Sequence, residues 1–144
     1  MARLFKFVWL VGGCLLMAAC GSDDDAGSVE IVFDGSDCEY RGSDRLEAGS
    51  TDFSFANDSD IVATAAVLLI TDDKTYADVE ELSRSDPDWN GDEEWADLVS
   101  PVGGVASGNS YDWMTELTAG SHYVVCIGGN LETFFYGGGF TVEP

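Results

Sequence analysis

Apolar and polar residues alternate with a period of two along much of this chain. Val29, Ile31 and Phe33 fall on one side of 29–33, and Phe53 and Phe55 do the same in 51–56. Tyr111, Trp113, Thr115 and Leu117 stand against Asp112, Met114 and Glu116. Alternation of this kind predicts half-buried strands. Residues 61–71 are almost continuously apolar, which predicts a strand buried on both faces or covered by the helix that follows. Cys38, Glu39 and Tyr40 form a short extended continuation before a polar loop to Gly49, and Asn57, Asp58, Ser59 and Asp60 supply a turn. Residues 122–127 make a further apolar strand, a glycine-rich turn follows, and Phe140, Thr141 and Val142 close the chain.

Helical spacing is scarce. Thr75 and Asp78 form a capping box with Asp in the Glu position, and Tyr76, Val79 and Leu82 share a face, so a short helix is expected over 76–83. Glu80 and Glu81 point differently and read as a solvated face. Trp95, Leu98 and Val99 predict one more helical turn before Pro101, Gly103 and Gly104 break it. The expected fold is all-β, a Greek-key β-sandwich with one short inserted helix.

Before this domain, Met1 to Cys20 opens with Arg3 and Lys6, runs through the apolar stretch 7–17 and closes on small residues. The run is too short to span a bilayer and has the regions of a secretory signal. Leu16, Met17, Ala18, Ala19 and Cys20 resemble the lipobox of bacterial lipoproteins. The resemblance implies a signal peptide over 1–19, palmitate-type acylation of Cys20 and a membrane anchor, with Met17 where Leu is usual. Residues 20–28 then form a flexible acidic tether, and 29–144 form the sandwich. The expected location is the cell envelope, on the extracytoplasmic side.

Charge changes the picture next. The chain carries 27 acidic and 6 basic side chains among its 144 residues, a formal net charge of −21. Such a surface repels phosphate backbones, which argues against nucleic acid as a partner. Solubility in salty or calcium-rich water is the plain reading, and recognition of a cationic partner is the specific one. There is one histidine, no G-x-S-x-G, no phosphate loop and no C-x-x-C, so no enzyme is expected.

Two stretches stand out as candidate sites. Asp86, Asp88, Asn90, Asp92, Glu94 and Asp97 fall at positions 1, 3, 5, 7, 9 and 12 of an EF-hand-like loop with Gly91 at position 6. Asp97 replaces the usual bidentate Glu, and Glu93 stands where an apolar residue is normal. Calcium binding here competes with a plain acidic loop. Phe134, Phe135 and Tyr136 precede three glycines, and three consecutive aromatics cannot all point into a sandwich. At least one is expected at a loop surface, where rings stack on sugars or fill the pocket of a protein or small-molecule partner.

Taken together, Phe53-x-Phe55-x-Asn57-Asp58 before the long apolar strand, the inserted helix 75–82, the segment 95–104 and the stretch from Gly120 through Cys126 to Val142 resemble the cupredoxin-like β-sandwich family. The resemblance is in particular to its copper-free members found as bacterial secreted lipoproteins. A blue-copper centre needs two imidazoles and a thiolate, usually with an axial thioether. Family copper proteins place one histidine at the start of the long apolar strand, where this chain has Ala63 or a neighbour. They place the others after the cysteine, where 128–139 holds neither His nor Met. His122 falls where relatives have an inward tyrosine, so it is expected at the core edge, bonded to a backbone carbonyl. The resemblance therefore argues against copper. Copper-free relatives keep cysteines at positions matching Cys38 and Cys126, and two thiols in an oxidising compartment most simply pair. A redox-active or metal-binding Cys126 is the competing reading. The function expected is a non-catalytic binding or interaction module without a cofactor; the alternatives are a calcium-dependent module and an electron carrier using Cys126.

Overall fold

The structure is a computed structural model and describes residues 28–91, 93–129 and 131–144. The leader, Cys20 and most of the tether lie outside the described residues, as does Asp92.

Among the described residues, nine strands and one helix follow in order: β1 (Ser28–Phe33), β2 (Cys38–Arg41), β3 (Arg45–Glu47), β4 (Gly49–Asn57), β5 (Ala63–Ile70), α1 (Tyr76–Ser85), β6 (Ala96–Pro101), β7 (Asn109–Leu117), β8 (Gly120–Gly128) and β9 (Thr133–Glu143). They form two sheets with strand orders β2-β1-β4-β7 and β3-β9-β8-β5-β6. β3, β4, β5, β7 and β8 each lie in the sheet opposite the strand before them, which is the crossing pattern of a Greek-key sandwich. β1 runs parallel to β4 and β3 parallel to β9; the other pairs are antiparallel.

The inward positions of the alternating strands meet between the sheets. Val29, Ile31, Phe33, Phe53, Phe55, Val67, Val124, Cys126, Phe140 and Val142 belong to one buried cluster. β5 reads as continuously apolar because its second face is also covered. Ala66, Leu68 and Ile70, with Tyr123 and Val125 of β8, form a second cluster under Val79 of α1. The capping box is present: the Thr75 backbone N–H and hydroxyl donate to Asp78 Oδ2 at 2.7 and 3.0 Å. These bonds hold the Asp78 carboxyl below the usual carboxylate range.

Three local expectations are corrected. Residues 96–101 form strand β6 and not a helical turn, because this segment finds an antiparallel partner in β5, with a bulge between Val67 and Leu68. Leu98, read as part of a helical face, is 57% exposed. The polar loop before Gly49 contains β3, which pairs with β9 and buries Leu46. Phe134, Phe135 and Tyr136 are not a surface loop but part of β9. All three are half-buried, one ring against the inner core and two against the outer cluster.

Cys38 and Cys126 are joined, with Cα atoms 5.7 Å apart and a sequence separation of 88. The bond ties β2 in one sheet to β8 in the other. On the chain-entropy argument, closing so long a loop stabilises the fold by roughly 4–5 kcal/mol.

Candidate binding site

Helix α1 lies across the outer face of the second sheet, and its close approach depends on one absent side chain in β9. A Cβ on Gly139 would stand 2.2 Å from the Cβ of Tyr76, so only glycine lets the first turn of the helix approach this strand. A Cβ on Gly137 would stand 2.6 Å from Cys38 Sγ, so glycine also makes room for the disulfide. The glycine run is therefore strand, and it lets two neighbours press close. Tyr136 Oη donates to Tyr76 O at 3.3 Å, and the Tyr76 N–H donates to Ser121 Oγ at 3.2 Å, fixing the helix to β9 and β8.

Beside this contact runs a groove of about 470 Å³. Its apolar wall is Trp89, Phe134 and Tyr136, and its rim carries Asp37, Glu80 and Arg84. Trp89 is held by its indole Nε1, which donates to Glu93 Oε1 at 3.0 Å. Arg84 pairs with Glu80 one helical turn away, an exposed pair that contributes little stability. Burial, and next the Glu80 carboxylate, push the Tyr136 phenol above its usual range, so it stays protonated. The groove thus offers flat rings with a polar edge, the arrangement that takes a flat apolar face carrying hydroxyls or amides. Phe135 also lines the groove, while its ring packs on Phe33 across the sandwich, 5.1 Å between centroids. Sequence reasoning found Phe134, Phe135 and Tyr136 but missed Trp89. The available signal was an aromatic residue stranded in an otherwise acidic loop.

Among the described residues, acids of 86–97 have separate engagements. Asp86 ends α1 and takes the Asp88 N–H on its own Oδ1 at 2.9 Å. Glu93 is engaged by Trp89, and Asp97 sits in β6 opposite Leu69. Among the described residues no three His, Cys, Asp or Glu side chains form a group that could hold a metal. A strand, not a second helix, follows the loop.

Blue copper can be tested on the donor set itself. Cys126 Sγ is bonded to Cys38, and Ala65 stands opposite Cys126 on β5, with Ala63 opposite Gly128. His122 lies four residues along β8, roughly 13 Å away at strand rise. There it is fully buried, accepts no solvent, stacks on Phe140, and has Nδ1 3.3 Å from Gly120 O. Burial lowers its pKa, and the Gly120 carbonyl acts weakly the other way. These residues do not fit a blue-copper set.

With sheets, groove and cysteines described, the chain can be placed among known proteins. The solved structures it is similar to include cupredoxins. One is the reduced auracyanin of the photosynthetic bacterium Roseiflexus castenholzii, at 19% identity over 81% of this chain and 97% of that one, with a TM-score of 0.46. Another is auracyanin A, a blue copper protein of the green thermophilic photosynthetic bacterium Chloroflexus aurantiacus, at 16% identity over 81% and 98%, with a TM-score of 0.49. A third is reduced rusticyanin, at 18% identity over 81% and 78%, with a TM-score of 0.47. No family model matches the chain, and no curated protein matches it. The likeness is one of fold and carries no activity with it.

Proposed function

We propose that this chain is a lipid-anchored protein of the cell envelope whose copper-free, cupredoxin-like sandwich binds a partner without catalysis. The observation that carries the reading is Cys126. The cysteine that stands where a copper thiolate would be expected is buried and bonded to Cys38, so it serves as a staple between sheets. A partner with a flat apolar face would enter the groove formed by Trp89, Phe134 and Tyr136. The lipobox-like sequence ending at Cys20 supports the anchor, and two or more acyl chains there would hold the protein stably.

Metal analysis with thiol counting on the exported, purified protein tests the reading. The expected result is no stoichiometric copper and no free thiol at Cys38 or Cys126. Stoichiometric copper, or titratable thiols at those positions, would replace this reading with a redox one. Metabolic labelling with palmitate tests the anchor: the Cys20→Ser variant is expected to lose the label, and equal labelling would remove the lipoprotein assignment.

A further inference from the structure

Each sheet has two edges, and three of the four are closed by ordinary devices. β2 has four residues and β3 three, while β6 carries a register shift against β5 and ends on Pro101. β7 differs. It has nine residues without Gly, Pro or a bulge, and among the described residues it pairs only with β4. Asn109, Ser110, Tyr111, Asp112, Met114 and Glu116 are all exposed. An edge this long and regular is a template for a further strand.

What guards β7 is charge. Its outer face presents Asp112 and Glu116, with Asp52 of β4 alongside and Glu30 of β1 beyond. Neither β4, β7 nor β1 contains a Lys or Arg. Arg41 on β2 is already paired with Glu30 and Glu39. A second copy of a chain with net charge −21 would be repelled at this edge, whereas a cationic strand would be drawn to it.

We propose that the free edge of β7 accepts an extended cationic segment of a partner protein, which extends the first sheet as an added strand. Side chains alternate across a sheet, so the geometry also sets the pattern of that segment. On one face its residues meet the stacked rings of Tyr111 and Trp113, whose centroids are 6.4 Å apart. On the other they meet Asp112, Met114 and Glu116 and a shallow recess of about 570 Å³ lined by Glu30, Asp52 and Ser54. The segment therefore alternates apolar residues with Lys or Arg. This surface is separate from the groove at α1 and does not depend on it.

The test uses the full chain and a synthetic peptide of the length of β7 that alternates lysine and valine, read by backbone amide hydrogen exchange and by affinity. The peptide is expected to slow exchange in 109–117, and a glutamate–valine peptide is expected not to. Asp112→Lys with Glu116→Lys should weaken binding by about ten-fold or more, as truncation of a matched charge patch does. The same charge change at exposed Asp72 and Asp73, in the loop before α1, should weaken it by less than about three-fold because screening is short-ranged. Protection appearing on β2, β3 or β6 overturns the assignment, as does equal weakening by the two charge reversals. A concentration-dependent dimer that protects β7 without peptide would assign the edge to a second copy and overturn the cationic occupant.

Discussion

The imidazole of His122 lies flat on the ring of Phe140, with centroids 5.2 Å apart and planes 6° from parallel. The two residues are directly paired across β8 and β9, and both are fully buried. The only histidine of the chain is thus spent on the core.

That burial makes stability depend on pH. The folded-state pKa of His122 is lowered by desolvation, while the unfolded side chain titrates near its ordinary value of about 6.5. As pH falls through that value the unfolded chain takes up a proton that the folded chain refuses, so stability present above about 6.5 declines below it. The His122→Phe variant keeps a ring on Phe140 and should flatten the decline between about pH 7 and 5. Denaturant midpoints measured across that range check it; an unchanged slope would show that other groups carry the effect.

Asp34 and Asp78 act at lower pH in the same direction. Both are held below the usual carboxylate range, Asp34 by the Ser36 and Asp37 N–H groups and Asp78 by Thr75. Their contribution is present above the unfolded carboxylate pKa near 4 and is lost as pH falls through the depressed folded values. Asp78→Asn should reduce the acid sensitivity of helix α1 specifically, read from exchange of its first-turn amides.

Removing the staple should cost the most. The Cys38→Ala, Cys126→Ala double variant is expected to lose roughly 4 kcal/mol by the loop-closure argument, measured by denaturant unfolding against the oxidised wild type. Because Gly137 leaves room for the sulfur, the same variant also leaves a small void beside it.

Gly139→Ala should destabilise by about 1–3 kcal/mol, the range for overpacking, because the new Cβ would meet Tyr76 at 2.2 Å. Gly103→Ala, at a position with open space around the added Cβ, is the control and should be nearly neutral. If Gly139→Ala also changes Trp89 fluorescence, the seating of α1 and the groove are one unit.

Asn57 joins two loops. Its buried amide Nδ2 donates to Ile61 O at 2.7 Å and to Val105 O at 2.8 Å, and its Oδ1 accepts from the Ser59 N–H and hydroxyl. Asn57→Ala would orphan these groups and should cost about 2 kcal/mol or more, measured as a lowered unfolding midpoint.

The sequence by itself determined β1, β2, β4, β5, β7 and β8, the capped helix and the two-sheet class. Period-two alternation at Phe53 and Phe55 or at Trp113 and Leu117 is imposed by the strand backbone, and capping by Thr75 and Asp78 is local hydrogen bonding. Its misreadings were non-local. Trp95, Leu98 and Val99 have helical spacing, and only the neighbouring β5 makes 96–101 a strand. Likewise, the glycines after Tyr136 look like a turn until Tyr76 and the disulfide are seen pressing against them. Tertiary structure alone decided which aromatic rings share the groove, since Trp89 reaches Phe134 and Tyr136 only through the docking of α1. It also decided that β7 is an edge. Alternation tells which face of a strand is buried, but pairing tells which strand has a neighbour, and that depends on contacts distant in sequence.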